Sequence, residues 1–168
     1  MNIRAEKPED HLAVRQVNEQ AFGRPDEAAL VDALRKSADP HISLVAEVGG
    51  RIIGHIFFSP VVIESEASVS TALGLAPMAV LPELQKQGIG SRLVRRGLDE
   101  CRKIGHDVVV VLGHPEYYPR FGFVPSTRMG LRCEYPVAEE VFMVVELRAG
   151  ALAGRTGVVK YHPEFGRV

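Results

Sequence analysis

The chain has 168 residues, a formal net charge of −1 and two cysteines. That length fits one domain burying about 70% of its unfolded surface, and mixed charge without a basic stripe argues against nucleic-acid binding. The first residues hold no apolar signal core, no apolar run is long enough to span a membrane, and Cys101 and Cys133 form neither a disulfide framework nor a metal motif, so no metal and a cytoplasmic location are expected.

In chain order, residues 2–5 read as a first strand. Pro8-Glu9-Asp10 opens a helix whose apolar residues are Leu12, Val14, Val17 and Phe22. A second helix spans 26–38, with Leu30, Val31 and Leu34 turned inward. Strands over 41–48 and 51–63 are joined at Gly49-Gly50, a hairpin turn signal. A fourth strand runs over 68–81 and contains Pro77. Proline cannot donate to a ladder, so Pro77 marks either a bulge that leaves nearby amides unpaired or a simple kink in a core strand.

Next comes Leu81-Pro82-Glu83-Leu84-Gln85-Lys86-Gln87-Gly88-Ile89-Gly90-Ser91, a polar loop with two glycines opening a helix. The unpaired amides and dipole of a helix N-terminus make an anion site, and glycine lets a phosphate approach the main chain. A nucleotide P-loop would need Gly-Lys-Ser/Thr where Gly90-Ser91-Arg92 stands, and a dinucleotide fingerprint would need a small residue at Leu93. The remaining readings are a plain tight turn and a pyrophosphate loop. The helix continues with Ile89, Leu93, Val94, Leu98, Cys101 and Ile104 apolar, and stops at Gly105. Residues 107–112 form an unbroken β-branched run, as in a parallel strand covered on both faces. Then follows Gly113-His114-Pro115-Glu116-Tyr117-Tyr118-Pro119-Arg120-Phe121-Gly122-Phe123, and a late strand over 139–147.

Gln85-x-x-Gly88-x-Gly90 between a strand and an amphipathic helix, with a tyrosine four residues before Gly122-Phe123, resembles the GNAT superfamily of N-acetyltransferases, and in particular its small bacterial members. The resemblance covers roughly nine-tenths of the chain by element order. It implies an α/β fold with a central, mostly antiparallel sheet and one parallel strand pair flanked by helices. Residues 1–148 would be the acetyltransferase domain, and 149–168 an extension packed on it or covering the acceptor side. It also implies acetyl-CoA as co-substrate, held by Gln85, Lys86, Gln87, Gly88, Ile89, Gly90 and Ser91, and by Met78, Ala79 and Val80 of the fourth strand.

The implied reaction is acetyl transfer to a primary amine in a ternary complex. It needs the coenzyme held, the carbonyl polarised, the amine deprotonated and the thiolate protonated. The resemblance assigns the last role to Tyr118, with Tyr117 as its competitor for an inward position. Many relatives carry a glutamate base on the fourth strand, but Thr71-Ala72-Leu73-Gly74-Leu75 holds no acid. His114 could relay a proton through water; His55, Ser59, Glu64 and Glu66 are weaker candidates, and an amine of low pKa needs no base. Acceptor walls are implied at 22–29 and 128–140, where Asp26, Glu27, Glu134, Glu139 and Glu140 could attract a cation. A small-molecule amine is favoured over a protein amine, and a homodimer is left open. Two alternatives are a Cys133 nucleophile and an acyl-CoA sensor without turnover.

Overall fold

The computed structural model describes residues 1–167, with the Arg167 side chain excepted; Val168, the last residue of the expected tail, lies outside them. The strands are β1 (Asn2–Ala5), β2 (Ile42–Val48), β3 (Arg51–Glu64), β4 (Val69–Val80), β5 (Val108–Leu112), β6 (Val124–Pro125), β7 (Leu131–Cys133), β8 (Phe142–Glu146) and β9 (Gly157–Lys160). The helices are α1 (His11–Phe22), α2 (Asp26–Ser37) and α3 (Ile89–Lys103). The sheet runs β1-β2-β3-β4-β5-β8-β6, with β9 pairing β3 and β7 off this path. All pairs along the path are antiparallel except β4–β5. Connecting β4 to β5 in parallel requires a crossover, and α3 supplies it.

Consecutive residues of β3 point to opposite faces, and each face has its own cover. His55 meets Asn18 of α1, whereas a side chain at Gly97 of α3 would fall on the Phe58 ring. So α1 and α2 cover one face and α3 the other. The β-branched run of β5 serves both covers. Val109 and Val111 join the cluster containing Leu93, Val94 and Leu98 of α3. Val108 and Val110 join a second cluster with Leu152, Val159 and Tyr161 from the tail.

Several expectations need correction. In α1, Val14 and Val17 are buried, but Leu12 is 67% exposed and Phe22 40% exposed. Leu12 lies roughly opposite Val14 around the helix, and the inward stripe is completed by Asn18 instead. Ile104 is exposed because α3 ends at Lys103, one residue earlier. The late strand starts at Phe142, after a 3-10 turn over Glu139–Val141. The tail beyond 148 supplies a further strand, β9, which pairs with β3 and β7. Among the described residues no helix is long and apolar enough to cross a membrane.

Candidate active site

The site begins where β4 and β5 part. Their parallel pairing covers only Leu73–Leu75 against Val109–Val111. Just beyond it, the β3–β4 register shifts between Ile56 and Phe58, opposite Ala76 and Pro77. This is a bulge at the proline, which has no N–H to give the ladder. The Leu81 N–H then donates to the Ile53 carbonyl at 3.0 Å. Main-chain direction alternates along a strand, so Ala79 also faces β3 while Met78 and Val80 turn their backbone groups toward the gap. The Val80 carbonyl accepts a 3.0 Å hydrogen bond from Gln85 Nε2 there.

The glycine loop closes the gap at one end. A 3-10 turn over Pro82–Leu84 leads to Lys86 at φ 62° and Gly88 at φ 88°. Gly88 precedes α3, and among the described residues no side chain caps that helix. Its first amides therefore face the gap with the helix dipole behind them. A cavity of about 590 Å³ lies in front of them. Met78 and Val80 line it from β4; Gln85, Lys86, Gly88, Ile89, Gly90 and Ser91 from the loop and α3; and His114, Tyr117, Tyr118 and Arg120 from the segment after β5. Of the expected coenzyme residues, Ala79 and Gln87 stand outside this cavity. Ala79 is buried and paired with His55, and Gln87 turns to a separate recess beside Met1 and Arg92.

The two tyrosines take different places. Tyr117 crosses the mouth of α3, its hydroxyl 2.9 Å from Ser91 Oγ. The Arg120 guanidinium stacks over the Tyr117 ring, 4.5 Å from its centroid. Tyr118 is the inward one, 6% exposed. Its ring meets Tyr117 and Phe123 edge-on at 5.1 and 5.6 Å. The ring also lies flush on Gly113, where an added methyl would sit 2.8 Å from Tyr118 Cδ2. Burial, and secondarily Tyr117, pushes the Tyr118 phenol above its usual range.

A second cavity of about 460 Å³ opens on the other side of Tyr118. Phe22, Glu27 and Leu30 line it from the first two helices, Leu75, Ala76 and Pro77 from β4, Leu112 from the end of β5 with Gly113 just after it, and Phe165 from the tail. The two cavities share Met78, His114 and Tyr118. This shared stretch is the junction of the two cavities.

The remaining candidates separate clearly. His55 is fully buried between Asn18 Nδ2 (3.2 Å) and Ser43 Oγ (2.9 Å), and burial pushes its imidazole down to about 4. Ser59 is buried on the same strand, and Glu64 pairs with Lys160 at 2.7 Å. None of these, nor Glu66, lines either cavity. Cys133 lies in β7, its thiol pushed up by burial, and also lines neither. Of the residues expected to wall an acceptor, Phe22 and Glu27 line the second cavity, and residues 128–140 line neither. Phe165 takes that side instead. Among the described residues no group of His, Cys, Asp or Glu could hold a metal ion.

A family model described as an acetyltransferase (GNAT) domain matches residues 2–126, ending before the strand and turn that carry Phe165. The Escherichia coli K12 protein named uncharacterized N-acetyltransferase YhbS is 39% identical over 168 residues, covering 99% of this chain and 99% of that one. The crystal structure of E. coli YhbS in complex with CoA superposes with a TM-score of 0.90 at 37% identity, over 99% of this chain and 92% of that one. That of a GNAT family acetyltransferase from Brucella melitensis in complex with acetyl-CoA superposes with a TM-score of 0.80 at 37% identity, over 98% and 97%.

Proposed function

The chain belongs to the GNAT acetyltransferase family, and from that premise we propose that it transfers the acetyl group of acetyl-CoA to a small primary amine. The observation that carries this reading is the meeting of two cavities at Met78, His114 and Tyr118. Acetyl-CoA occupies the first. Its pyrophosphate rests on the amides of Gly88 to Ser91, and its pantetheine follows the edge of Met78 and Val80 that turns away from β3. The relatives solved in complex with CoA and with acetyl-CoA support the choice of coenzyme. The amine occupies the second cavity.

At the junction the amine nitrogen attacks the thioester carbonyl. The new C–N bond forms as the carbonyl opens to an oxyanion, and the backbone groups turned outward by the Pro77 bulge are the available donors. As the carbonyl re-forms, the C–S bond breaks, Tyr118 gives its proton to the sulfur, and water restores it. The nitrogen's surplus proton leaves to solvent past His114, the imidazole common to both cavities. No thiol is placed to form an acyl-enzyme among the described residues, so a ternary complex is favoured over the Cys133 route.

The test is amine-dependent release of free CoA thiol from acetyl-CoA, followed for the native chain and Tyr118→Phe. The reading expects turnover that falls about a hundredfold in the variant with coenzyme affinity retained. Equal turnover in both proteins would remove Tyr118 from the mechanism, and coenzyme binding with no acceptor turned over would favour the sensor alternative.

A further inference from the structure

Resting on the acetyl-transfer reading, we infer that the second cavity selects a primary amine carried on an apolar body and lacking a carboxylate, with Glu27 drawing in its ammonium and Phe165 limiting its size. The walls are apolar on several sides, from Phe22 and Leu30 to Leu75, Pro77 and Phe165. Among them stands one carboxylate. Glu27 is 8% exposed, and Arg24, which is more exposed, grips it from outside as a fork, Nε donating at 2.9 Å to Oε1 and Nη2 donating to Oε2, so an ammonium would share these oxygens through their remaining lone pairs. The anion is thus inside and its cation outside. Among the described residues no lysine or arginine lines this cavity.

That arrangement has a chemical consequence. An amine enters as an ammonium at neutral pH and loses water against the apolar walls, a cost that a buried carboxylate offsets. A carboxylate on the substrate would be desolvated beside Glu27 with no cation among the described lining residues facing it, which disfavours amino acids. A polyol or polycation would leave several polar groups unpaired against Phe22, Leu30 and Phe165. Phe165 is placed by the tail. β9 pairs with β3, and the following 3-10 turn brings Phe165 5.2 Å from Tyr161, centroid to centroid. The tail is therefore a wall of the acceptor site.

The experiment measures kcat/KM with acetyl-CoA for leucinamide, leucine, hexylamine, phenethylamine, 4-phenylbutylamine, spermidine and kanamycin. The native chain is expected to prefer leucinamide to leucine at least about tenfold and the apolar amines to spermidine and kanamycin. Glu27→Gln should collapse the leucinamide-to-leucine ratio to about threefold or less with acetyl-CoA affinity unchanged. Arg24→Gln keeps the carboxylate and should keep the ratio, which separates lost charge from a loosened loop. Phe165→Ala should move the preference from phenethylamine toward 4-phenylbutylamine. Leucine used as well as leucinamide, a ratio unmoved in Glu27→Gln, or preference for spermidine or kanamycin would overturn the inference. If the coenzyme binds but none of the apolar amines reacts, this inference falls while acetyl transfer to another acceptor stands; if acetyl-CoA does not bind, both fall.

Discussion

The Tyr117 hydroxyl and Ser91 Oγ meet at 2.9 Å across the N-terminus of α3. A side chain added at Gly90 would come within 3.3 Å of the same hydroxyl. Tyr117 therefore stands over the amides that the pyrophosphate would use, whereas its neighbour Tyr118 faces the junction of the cavities. The two phenols should separate binding from chemistry. Tyr117→Phe is expected to change acetyl-CoA affinity by less than about tenfold and kcat by less than about threefold, while Tyr118→Phe lowers kcat about a hundredfold. Calorimetry and steady-state rates on the two variants check this; a larger kcat loss in Tyr117→Phe would exchange their roles.

Gly113 holds the Tyr118 ring by having no side chain. A methyl there would overlap the ring, 2.8 Å from Cδ2 and 3.3 Å from Cζ. Gly113→Ala should push the phenol off the junction, lowering kcat about tenfold or more and destabilising the fold by about 1–3 kcal/mol through overpacking. Acetyl-CoA affinity should be nearly unchanged, because the pyrophosphate loop is untouched. Rates and thermal unfolding of the variant decide it, and a native kcat would mean that the Tyr118 position is not critical.

Burial raises the Tyr118 phenol above its usual value of about 10. The acid must be protonated to act, and a raised pKa keeps it so to higher pH. The amine must lose its proton, which favours alkali. Together these predict a kcat/KM that climbs with pH and shows no falling limb below about pH 10. A pH–rate profile from 6 to 10 checks this, and a descending limb near 8 would assign the acid to another group.

His55 makes acid stability predictable. Fully buried, its imidazole titrates at about 4, against about 6.5 in the unfolded chain. Between those values the unfolded state binds the proton and the folded state does not, so stability is complete above about 6.5 and is lost as pH falls toward 4. The full difference is on the order of 3 kcal/mol. Denaturant unfolding of native and His55→Gln chains at pH 7 and 4.5 measures it. The variant should lose less stability on acidification than the native chain, and equal losses would contradict the account.

What was legible in the sequence was what neighbours along the chain decide. The valine run of β5 announced a strand covered on both faces, and Gly88-Ile89-Gly90 announced the start of the amphipathic α3. Strand alternation was the first limit. It turns Ala79 to β3 and Met78 and Val80 to the gap, and Pro77 alone does not decide between a bulge that resets that phase and a simple kink. Distant partners were the second. Phe165 reaches the cavity of Glu27 only because β9 pairs with β3. The inward face of α1 was misread at Leu12 because a buried asparagine, Asn18, replaces the expected apolar residue against His55.

The central claim is that the cavity before α3 holds acetyl-CoA, and calorimetric titration with acetyl-CoA tests it most directly. A valine at Gly90 would press on the Tyr117 hydroxyl and Met78 and fill the space in front of the helix amides. The account predicts saturable binding by the native chain, lost or weakened at least about a hundredfold in Gly90→Val, with native folding of the variant confirmed by circular dichroism. A folded native chain that binds no acetyl-CoA, or a Gly90→Val variant that binds as tightly, would contradict it.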